Sequence, residues 1–329
     1  MELISVIIPV YNEEKHLNEV FSSIDEQNYP KEFTEIIFVD GNSQDQSIKL
    51  LKEYASKKQN IHIYNNEKKI VPISMNIGIK NSNGKYVIRL DSHSKYNKDY
   101  LSKCVEVLQK TNAENVGGAI RLIGELPVQK AIKLATTCAF GIGNSGFHYE
   151  DYEGYVESVY LGAYRKDILE KIGMYDEELV RNQDDELNYR LIKSGGKIFM
   201  SKEIISYYYP RPSLKRLWKQ YYEYGYWRVR VIQKHKFPAS IRQLIPAIFV
   251  TSIILGIILL FFKGLGLLIL LPLIFLYTPL MFYFSIKQAI KYNFYNIFLT
   301  SSVFLILHFS YGTGFLKGVL DFYFIKKLN

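Results

Sequence analysis

The chain of 329 residues carries 41 Lys and Arg against 32 Asp and Glu, a formal charge of +9, and only two cysteines. Cys104 and Cys138 have neither metal nor disulfide spacing, which argues against a disulfide framework or a thiolate metal centre and suits a reducing compartment. A mean hydropathy of −0.04 hides a division. Residues 1–240 have the mixed composition of a soluble domain, and residues 244–316 are mostly Leu, Ile, Phe and Gly.

Met1-Glu2 leads straight into Leu3–Pro9, an apolar run too short for a signal peptide and without its basic flank, so the first domain is expected to stay in the cytosol. Leu3–Pro9, Ile36–Asp40, Ile61–Asn65, Tyr86–Asp91 and Val116–Ile120 predict strands. The first, second and fourth are nearly continuous in apolar residues, as strands covered on both faces are. Leu17, Val20, Phe21 and Ile24 form a helical stripe, Ser43-Gln44-Asp45-Gln46 has the pattern of a capping box, and Asn81–Gly84 supplies a turn. Strands alternating with helices predict an α/β fold with a Rossmann-like, mostly parallel sheet and helices on both faces. Such sheets bind ligands beyond the carboxyl ends of their strands.

Those ends read Pro9-Val10-Tyr11-Asn12-Glu13, Asp40-Gly41-Asn42-Ser43 and Asp91-Ser92-His93. Asn12 or Ser43 alone reads as a helix cap; three polar ends at one rim favour a site. Asp91 and His93, one residue apart after a strand, are a compact pair for holding a divalent cation against a diphosphate. The absence of Gly-x-Gly-x-x-Gly after the first strand argues against a dinucleotide oxidoreductase, and there is no Gly-Lys-Ser/Thr phosphate loop.

Gly141–Asn144 and Glu153-Gly154 suggest loops, and Val159–Tyr164 a further strand. A helix is predicted from near Asp184 to Gly195-Gly196. Asp184, Asp185 and Glu186 in its first turn are more carboxylates than a helix dipole requires. Residues 211–242 form a basic region: between Lys215 and Arg242 stand eight Lys and Arg against the single acidic Glu223. Leu214, Leu217, Trp218, Tyr221, Tyr222 and Gly225 make its apolar stripe, which can lie in a membrane interface or pack on protein. An anionic leaflet is a better partner for this charge than nucleic acid, because hydrophobic segments follow at once. Those segments, 244–262, 264–286 and 297–315 within a membrane region 243–329, are 19, 23 and 19 residues long. Each is long enough for a bilayer core that takes roughly 20 residues of helix. Pro272 and Pro279 can kink the second, His308 in the third reads as a satisfied buried histidine, and three spans place Lys326 and Lys327 outside, in mild conflict with the positive-inside rule.

The order of these motifs resembles the family 2 inverting glycosyltransferases of GT-A fold. Ser5–Glu14, Val39–Ser43 with Asp45 and Ser47, Asn76-Ile77-Gly78, Gly84 and Leu90–His93 carry the resemblance. Asp91-x-His93, Gly162–Arg165 ahead of Asn182–Arg190, Pro210–Leu214 to Gly225, and His308–Gly312 resemble the succinoglycan-type glucosyltransferase branch. The resemblance implies a domain of residues 1–210 that transfers one sugar, with inversion, from a nucleoside diphosphate sugar such as UDP-glucose. It also implies an acceptor saccharide on a polyprenyl diphosphate lipid.

On that resemblance Pro9, Tyr11, Glu13, Asp40, Asn76 and Asp91 frame the nucleotide. Asp91 and His93 hold Mn²⁺ or Mg²⁺, with imidazole favouring Mn²⁺. Spacing leaves Asp184 and Asp185 both open as the general base; the resemblance selects Asp184 and puts Gln183, Asp185 and Arg190 on the acceptor side. The family's Glu-Asp acceptor motif is here Gln183-Asp184, and Gln-x-x-Arg-Trp is missing because Gln220 is followed by Tyr-Tyr-Glu. A processive synthase is thereby disfavoured. A polyprenyl-phosphate sugar transferase remains an alternative, and a nonenzymatic nucleotide-sugar-binding subunit and a transporter are weaker ones.

Overall fold

The computed structural model describes residues 1–143 and 150–326; Asn144 of the expected loop and Lys327 fall outside them. The chain divides into two compact units. One comprises Met1–Leu122 and Gly146–Tyr209, the other Ile123–Ser145 and Pro210–Asn329.

The first unit begins β1 (Ile4–Val10), α1 (Leu17–Asp25), β2 (Thr34–Asp40), α2 (Ser47–Ala55), β3 (Ile61–Asn65), α3 (Val71–Lys80) and β4 (Tyr86–Arg89). It continues with β5 (Ser94–Tyr96), α4 (Tyr100–Thr111), β6 (Asn115–Gly118) and β7 (Ile120–Leu122). Two helices of the second unit, α5 (Pro127–Thr136) and α6 (Ala139–Ile142), intervene. Then come β8 (Gly154–Tyr155), β9 (Tyr160–Arg165), α7 (Lys166–Lys171), α8 (Gln183–Lys193), β10 (Ile198–Met200) and β11 (Ser206–Tyr208).

The main sheet runs β3-β2-β1-β4-β9-β6-β10-β8. β1, β2, β3 and β4 are parallel, as are β6 and β10; β9 lies antiparallel between β4 and β6, and β8 is antiparallel to β10. The sheet is therefore mixed, with its parallel half at the β3 side. Alternation along β1 explains the apolar runs. Ile4, Val6, Ile8 and Val10 join α1 and α4 in one core, and Ile7 joins Met75 and Ile79 of α3 and Leu187 and Leu191 of α8 in the other. Both faces are covered, so both sets must be apolar. A Cβ on Gly78 would come within 2.5 Å of Ile7 Cγ2, so only glycine lets α3 lie this close to β1.

The expected single strand Val116–Ile120 is two strands. A bulge separates Val116 from Gly118, and a Cβ on Gly118 would lie 1.7 Å from the carbonyl oxygen of Ile204. The chain leaves the main sheet there and β7 enters a second sheet of order β5-β11-β7. The capping-box reading of Ser43–Gln46 is also corrected. α2 starts at Ser47, and Ser43 is turned toward Asp40.

The second unit adds α9 (Leu214–His235), α10 (Ile245–Leu260), α11 (Leu267–Tyr292) and α12 (Ile297–Val319). Residues 123–145, inside the range expected for the first domain, belong to it. Its three segments Ile241–Leu260, Leu267–Tyr292 and Ile297–Phe324 are long and apolar enough to cross a membrane. α11 stays helical through Pro272 and Pro279, and the region Gly141–Ile142, expected as loop, is a helical turn. His308 is satisfied on both ring nitrogens: Nε2 donates to the Phe140 carbonyl at 2.8 Å and Tyr277 donates to Nδ1 at 2.8 Å.

The basic helix α9 packs on α12. A Cβ on Gly225 would fall 2.0 Å from Tyr311 O, and Cβ atoms on Gly314 and Gly318 would fall 2.1 and 2.6 Å from Tyr222 O and Tyr226 O. Small residues let the two backbones touch. Tyr226 donates to the buried carboxylate of Asp321 at 3.0 Å, and Lys317 pairs with the same group. Protein contact therefore takes the glycine-bearing side of α9. Gly225→Val should overpack this seam at a cost of about 1–3 kcal/mol and lower the thermal midpoint in detergent; an unchanged midpoint would show that the helices separate freely.

Candidate active site at the switch point of the sheet

The strand order turns between β1 and β4: the chain goes from β1 outward through β2 and β3, then returns to the other side of β1. A crevice opens at the carboxyl ends of such strands. Val10 pairs with Asp40 in the ladder, so the loops after β1 and β2 leave the sheet side by side. They are stapled together. Asn12 N–H donates to Ser43 Oγ at 3.0 Å, Glu13 N–H to Ser47 Oγ at 2.8 Å and Glu14 N–H to Asp45 Oδ2 at 3.1 Å. In return Asn12 Oδ1 accepts from Gln44 N–H at 2.8 Å. Asn12 and Asn42 both take positive φ, 55° and 60°, a conformation asparagine tolerates better than most residues.

Asp40 sits 4 % exposed at the end of β2, accepting the Ser43 hydroxyl at 2.6 Å and the Ser43 N–H at 3.0 Å. Each carboxylate oxygen has a further lone pair. Pro9 is the penultimate residue of β1, Tyr11 is exposed just beyond it under Lys69, and Glu13 reaches across to His93, Oε1 to Nδ1 3.3 Å. Asn76 stands apart from this group. It is 4 % exposed, its amide nitrogen donates to Tyr175 O and Glu177 Oε1, both at 2.9 Å, and its oxygen accepts Tyr175 N–H at 2.9 Å. Three of the four hydrogen-bonding directions of that amide hold the loop before α8 onto α3, so Asn76 acts as a clamp on that loop.

β4 delivers the next group. Arg89, its last residue, is 7 % exposed. Its Nε and Nη2 donate to Asp91 Oδ1 at 3.1 and 2.9 Å, and its Nη1 donates to Asp184 Oδ1 at 2.5 Å. One guanidinium thus joins the strand-end carboxylate to the first turn of α8, 95 positions away. The backbone of Asp91 is held by Tyr96, whose hydroxyl accepts from Asp91 N–H at 2.7 Å and donates to Asp91 O at 3.1 Å. Burial raises the Tyr96 phenol well above its ordinary range, so it remains a neutral clip. His93 turns an edge toward Tyr208 of β11, ring centres 6.2 Å apart.

α8 presents Asp184 with 40 % of its side chain accessible, at the mouth of a recess dense in protein. That desolvation raises its pKa from 3.8; Arg89 opposes the rise and the nearby Asp91 charge adds to it. Asp185 instead accepts from Ser158 at 3.3 Å, and Gln183 is buried. Arg190 faces the helix's own supports. It grips Glu186 at 2.7 and 2.8 Å and the carbonyl oxygens of Ile172 and Met174. Beneath, Asn188 accepts from Asn115 at 2.9 Å and Tyr164 at 3.0 Å and donates to Ser158 at 3.0 Å. The structure therefore brings Asp91, Asp184, His93 and Glu13 to one rim with Asp40, Pro9 and Tyr11, and gives Asn76 and Arg190 holding duties.

The sequence reading passed over Arg89, although it lies within the strand Tyr86–Asp91 and two residues before Asp91. The available signal was a charge closing a strand covered on both faces, which must find a counter-charge. Among the described residues no three His, Cys, Asp or Glu side chains gather into a ready-made metal cage. Asp91 and His93 fit a cation only as a two-ligand set completed by phosphate oxygens and water, which is how Mg²⁺-type ions are ordinarily held beside diphosphates.

The Asn76 clamp has a measurable consequence. Asn76→Ala should cost about 1–3 kcal/mol of stability and leave UDP affinity within about threefold, since each truncated partner loses a buried hydrogen bond. A tenfold loss of UDP affinity at unchanged stability would return Asn76 to the nucleotide pocket.

Comparison with known proteins identifies the family and the fold. Residues 5–173 match the model of glycosyl transferase family 2. A dolichyl N-acetyl-alpha-D-glucosaminyl phosphate 3-beta-D-2,3-diacetamido-2,3-dideoxy-beta-D-glucuronosyltransferase of Methanococcus voltae is 33 % identical over 329 residues, covering 97 % of this chain and 98 % of that protein. The succinoglycan biosynthesis protein ExoA of Rhizobium meliloti is 29 % identical over 243 residues, 73 % of each chain. In fold, the chain is similar to the mannosyltransferase PcManGT of Pyrobaculum calidifontis, solved with GDP-Man and Mn²⁺, at a TM-score of 0.63 and 14 % identity, covering 97 % of this chain and 88 % of that one. It is also similar to S. aureus TarS 1-349 in complex with UDP, TM-score 0.51 and 19 % identity, covering 69 % of this chain and 65 % of that one. The chain is a glycosyltransferase of family 2, with a GT-A sheet followed by helices long and apolar enough to cross a membrane.

Proposed function

We propose that the protein is a membrane-anchored, inverting transferase that moves one sugar from a nucleoside diphosphate sugar to a saccharide carried on a polyprenyl-type lipid. The observation that carries this is the meeting of Asp91 and Asp184 on one guanidinium at the switch point. A donor-side carboxylate and an acceptor-side carboxylate share one crevice. Lipid-linked acceptors are supported by the name of the Methanococcus relative, which gives dolichyl N-acetylglucosaminyl phosphate, and by the three apolar helices, which would keep the transferase at the surface where such a lipid sits. The catalytic unit is then cytosolic, and α9 can offer anionic headgroups the basic side chains that its packing on α12 leaves outward.

The chemistry follows from the residues. Asp40, Pro9, Tyr11 and Glu13 would frame the nucleotide, Asp40 accepting a ring N–H of the base with the lone pairs Ser43 leaves; uracil fits this, making a UDP-sugar the preferred donor. Asp91 and His93 would hold a divalent cation, Mn²⁺ or Mg²⁺, which neutralises the charge that grows on the leaving diphosphate. Asp184 would take the acceptor hydroxyl's proton as that oxygen attacks from the face opposite the diphosphate, a contribution of typically 10²–10⁴-fold for a placed base. Gln183 and Asp185, flanking it, would contact the acceptor sugar.

Asp184→Asn should abolish transfer in purified membranes supplied with UDP- and GDP-sugars, while UDP binding stays within about threefold. Near-normal turnover would remove Asp184 from the base role. Product analysis with a lipid-linked oligosaccharide against bare polyprenyl phosphate tests the acceptor; exclusive use of the bare phosphate would favour the alternative transferase. The base must be deprotonated to act, and Asp184 lies above 3.8, so kcat should fall with acid through a limb placed above that of an ordinary aspartate. A limb at or below 3.8 would contradict the assignment. Activity with Mg²⁺ and none with Mn²⁺ would count against His93 as a ligand.

A further inference from the structure

We propose that Arg89 is a positioning residue that spans Asp91 and Asp184 and sets the interval between the donor-side and acceptor-side halves of the reaction. The proposal rests on the reading of Asp184 as base and Asp91 as a cation ligand. Arg89 is 7 % exposed, and its hydrogen bonds to the two carboxylates divide by atom: Nε and Nη2 serve Asp91 Oδ1, and Nη1 serves Asp184 Oδ1. A planar fork with donors on two edges fixes the orientation and spacing of both carboxylates, whereas an ammonium, which can also pair with two carboxylates, holds them through rotatable donors at one point and does not fix that spacing. Asp184 is held through one oxygen, leaving Oδ2 for the acceptor proton. The geometry also has an electrostatic side. Two carboxylates and one guanidinium sum to one negative charge; without the guanidinium the sum is two, and the carboxylates repel.

These two consequences separate charge from geometry. Loss of the fork should misplace the base and lower kcat, and displacements of about 1 Å in such sites cost on the order of 10²-fold. Loss of the positive charge should leave a more negative rim that binds a divalent cation at least as tightly as before. A residue whose only duty is to hold the fold would instead lose turnover and cation binding together.

The test uses the full chain in detergent, with Mn²⁺ binding in the presence of UDP read by the signal of free Mn²⁺ in electron paramagnetic resonance. Arg89→Met is expected to lower kcat about 10²-fold while Mn²⁺ affinity stays equal or rises. Arg89→Lys, which keeps the charge and loses the fork, is expected to lower kcat at least about tenfold at unchanged Mn²⁺ affinity. Wild-type kcat in Arg89→Lys, or a joint loss of kcat and Mn²⁺ binding in both variants, would overturn the proposal. If Arg89→Met does not fold, Arg89→Lys alone decides by the same criterion. Asp184→Asn, measured beside them, keeps the outcomes apart: its near-normal turnover would sink the base reading itself, whereas a dead Asp184→Asn with an unimpaired Arg89→Lys would sink only the role given to Arg89.

Discussion

A charged side chain closing a strand that is covered on both faces must reach either water or an opposite charge, because desolvating it alone is prohibitively costly. Arg89 is that side chain. β4 is buried along its length between the two cores, and Arg89 turns at its end into a pair of carboxylates. The requirement is mutual. Asp91 and Asp184 come from different parts of the chain, and the guanidinium between them offsets the repulsion that would otherwise favour protonating one of them. Pairing the guanidinium therefore selects the placement of α8 against the carboxyl end of β4. The Asn76 clamp on Tyr175 and the Arg190 grip on residues 172 and 174 hold the approach to α8 from the other side.

The second unit solves a different problem. Its three long helices are apolar on nearly all sides, so in a lipid surrounding burial of apolar surface would not tell one helix pairing from another. Close backbone contact and buried polar bonds do. Gly225, Gly314 and Gly318 supply the first, and the Tyr226–Asp321–Lys317 and Tyr277–His308–Phe140 contacts supply the second. α9 is thus tied to α12 along one side.

What was legible in the sequence follows the range of the forces involved. The strands β1, β2 and β4 show because residues buried on two faces must nearly all be apolar, and the three long helices show because their hydrophobicity runs unbroken over lengths that could cross a bilayer. Asp40 and Asp91 show because they end such runs, whereas Asp184 stands in a polar run beside Asp185 and is singled out by resemblance alone. Long-range closure does not show. Gly118 gives no sign that its chain must pass the carbonyl of Ile204, so one strand becomes two. Ser43 offers the local pattern of a cap, but the neighbouring loop at Asn12 and the carboxylate of Asp40 claim its hydroxyl first. Asn76 resembles a ligand-binding amide until its partners, 99 and 101 positions on, are seen.

Charge at the rim links the departures from the family pattern to one another. His93 stands where the usual motif has a second Asp, and Gln183 where it has a Glu. With both acids present, the group around Arg89 would hold four carboxylates against one guanidinium, a net charge of three negative units before Glu13 is added. Here the Arg89, Asp91 and Asp184 group carries one negative unit. A divalent ion placed there would face two fewer negative charges than it would with both acids present. The same substitutions remove negative charge from around Asp184, whose raised pKa already reflects burial and the Asp91 charge. A further acid at 183 would push that pKa higher still, so the glutamine there and the arginine at 89 act in the same direction, toward keeping the carboxylate ionised.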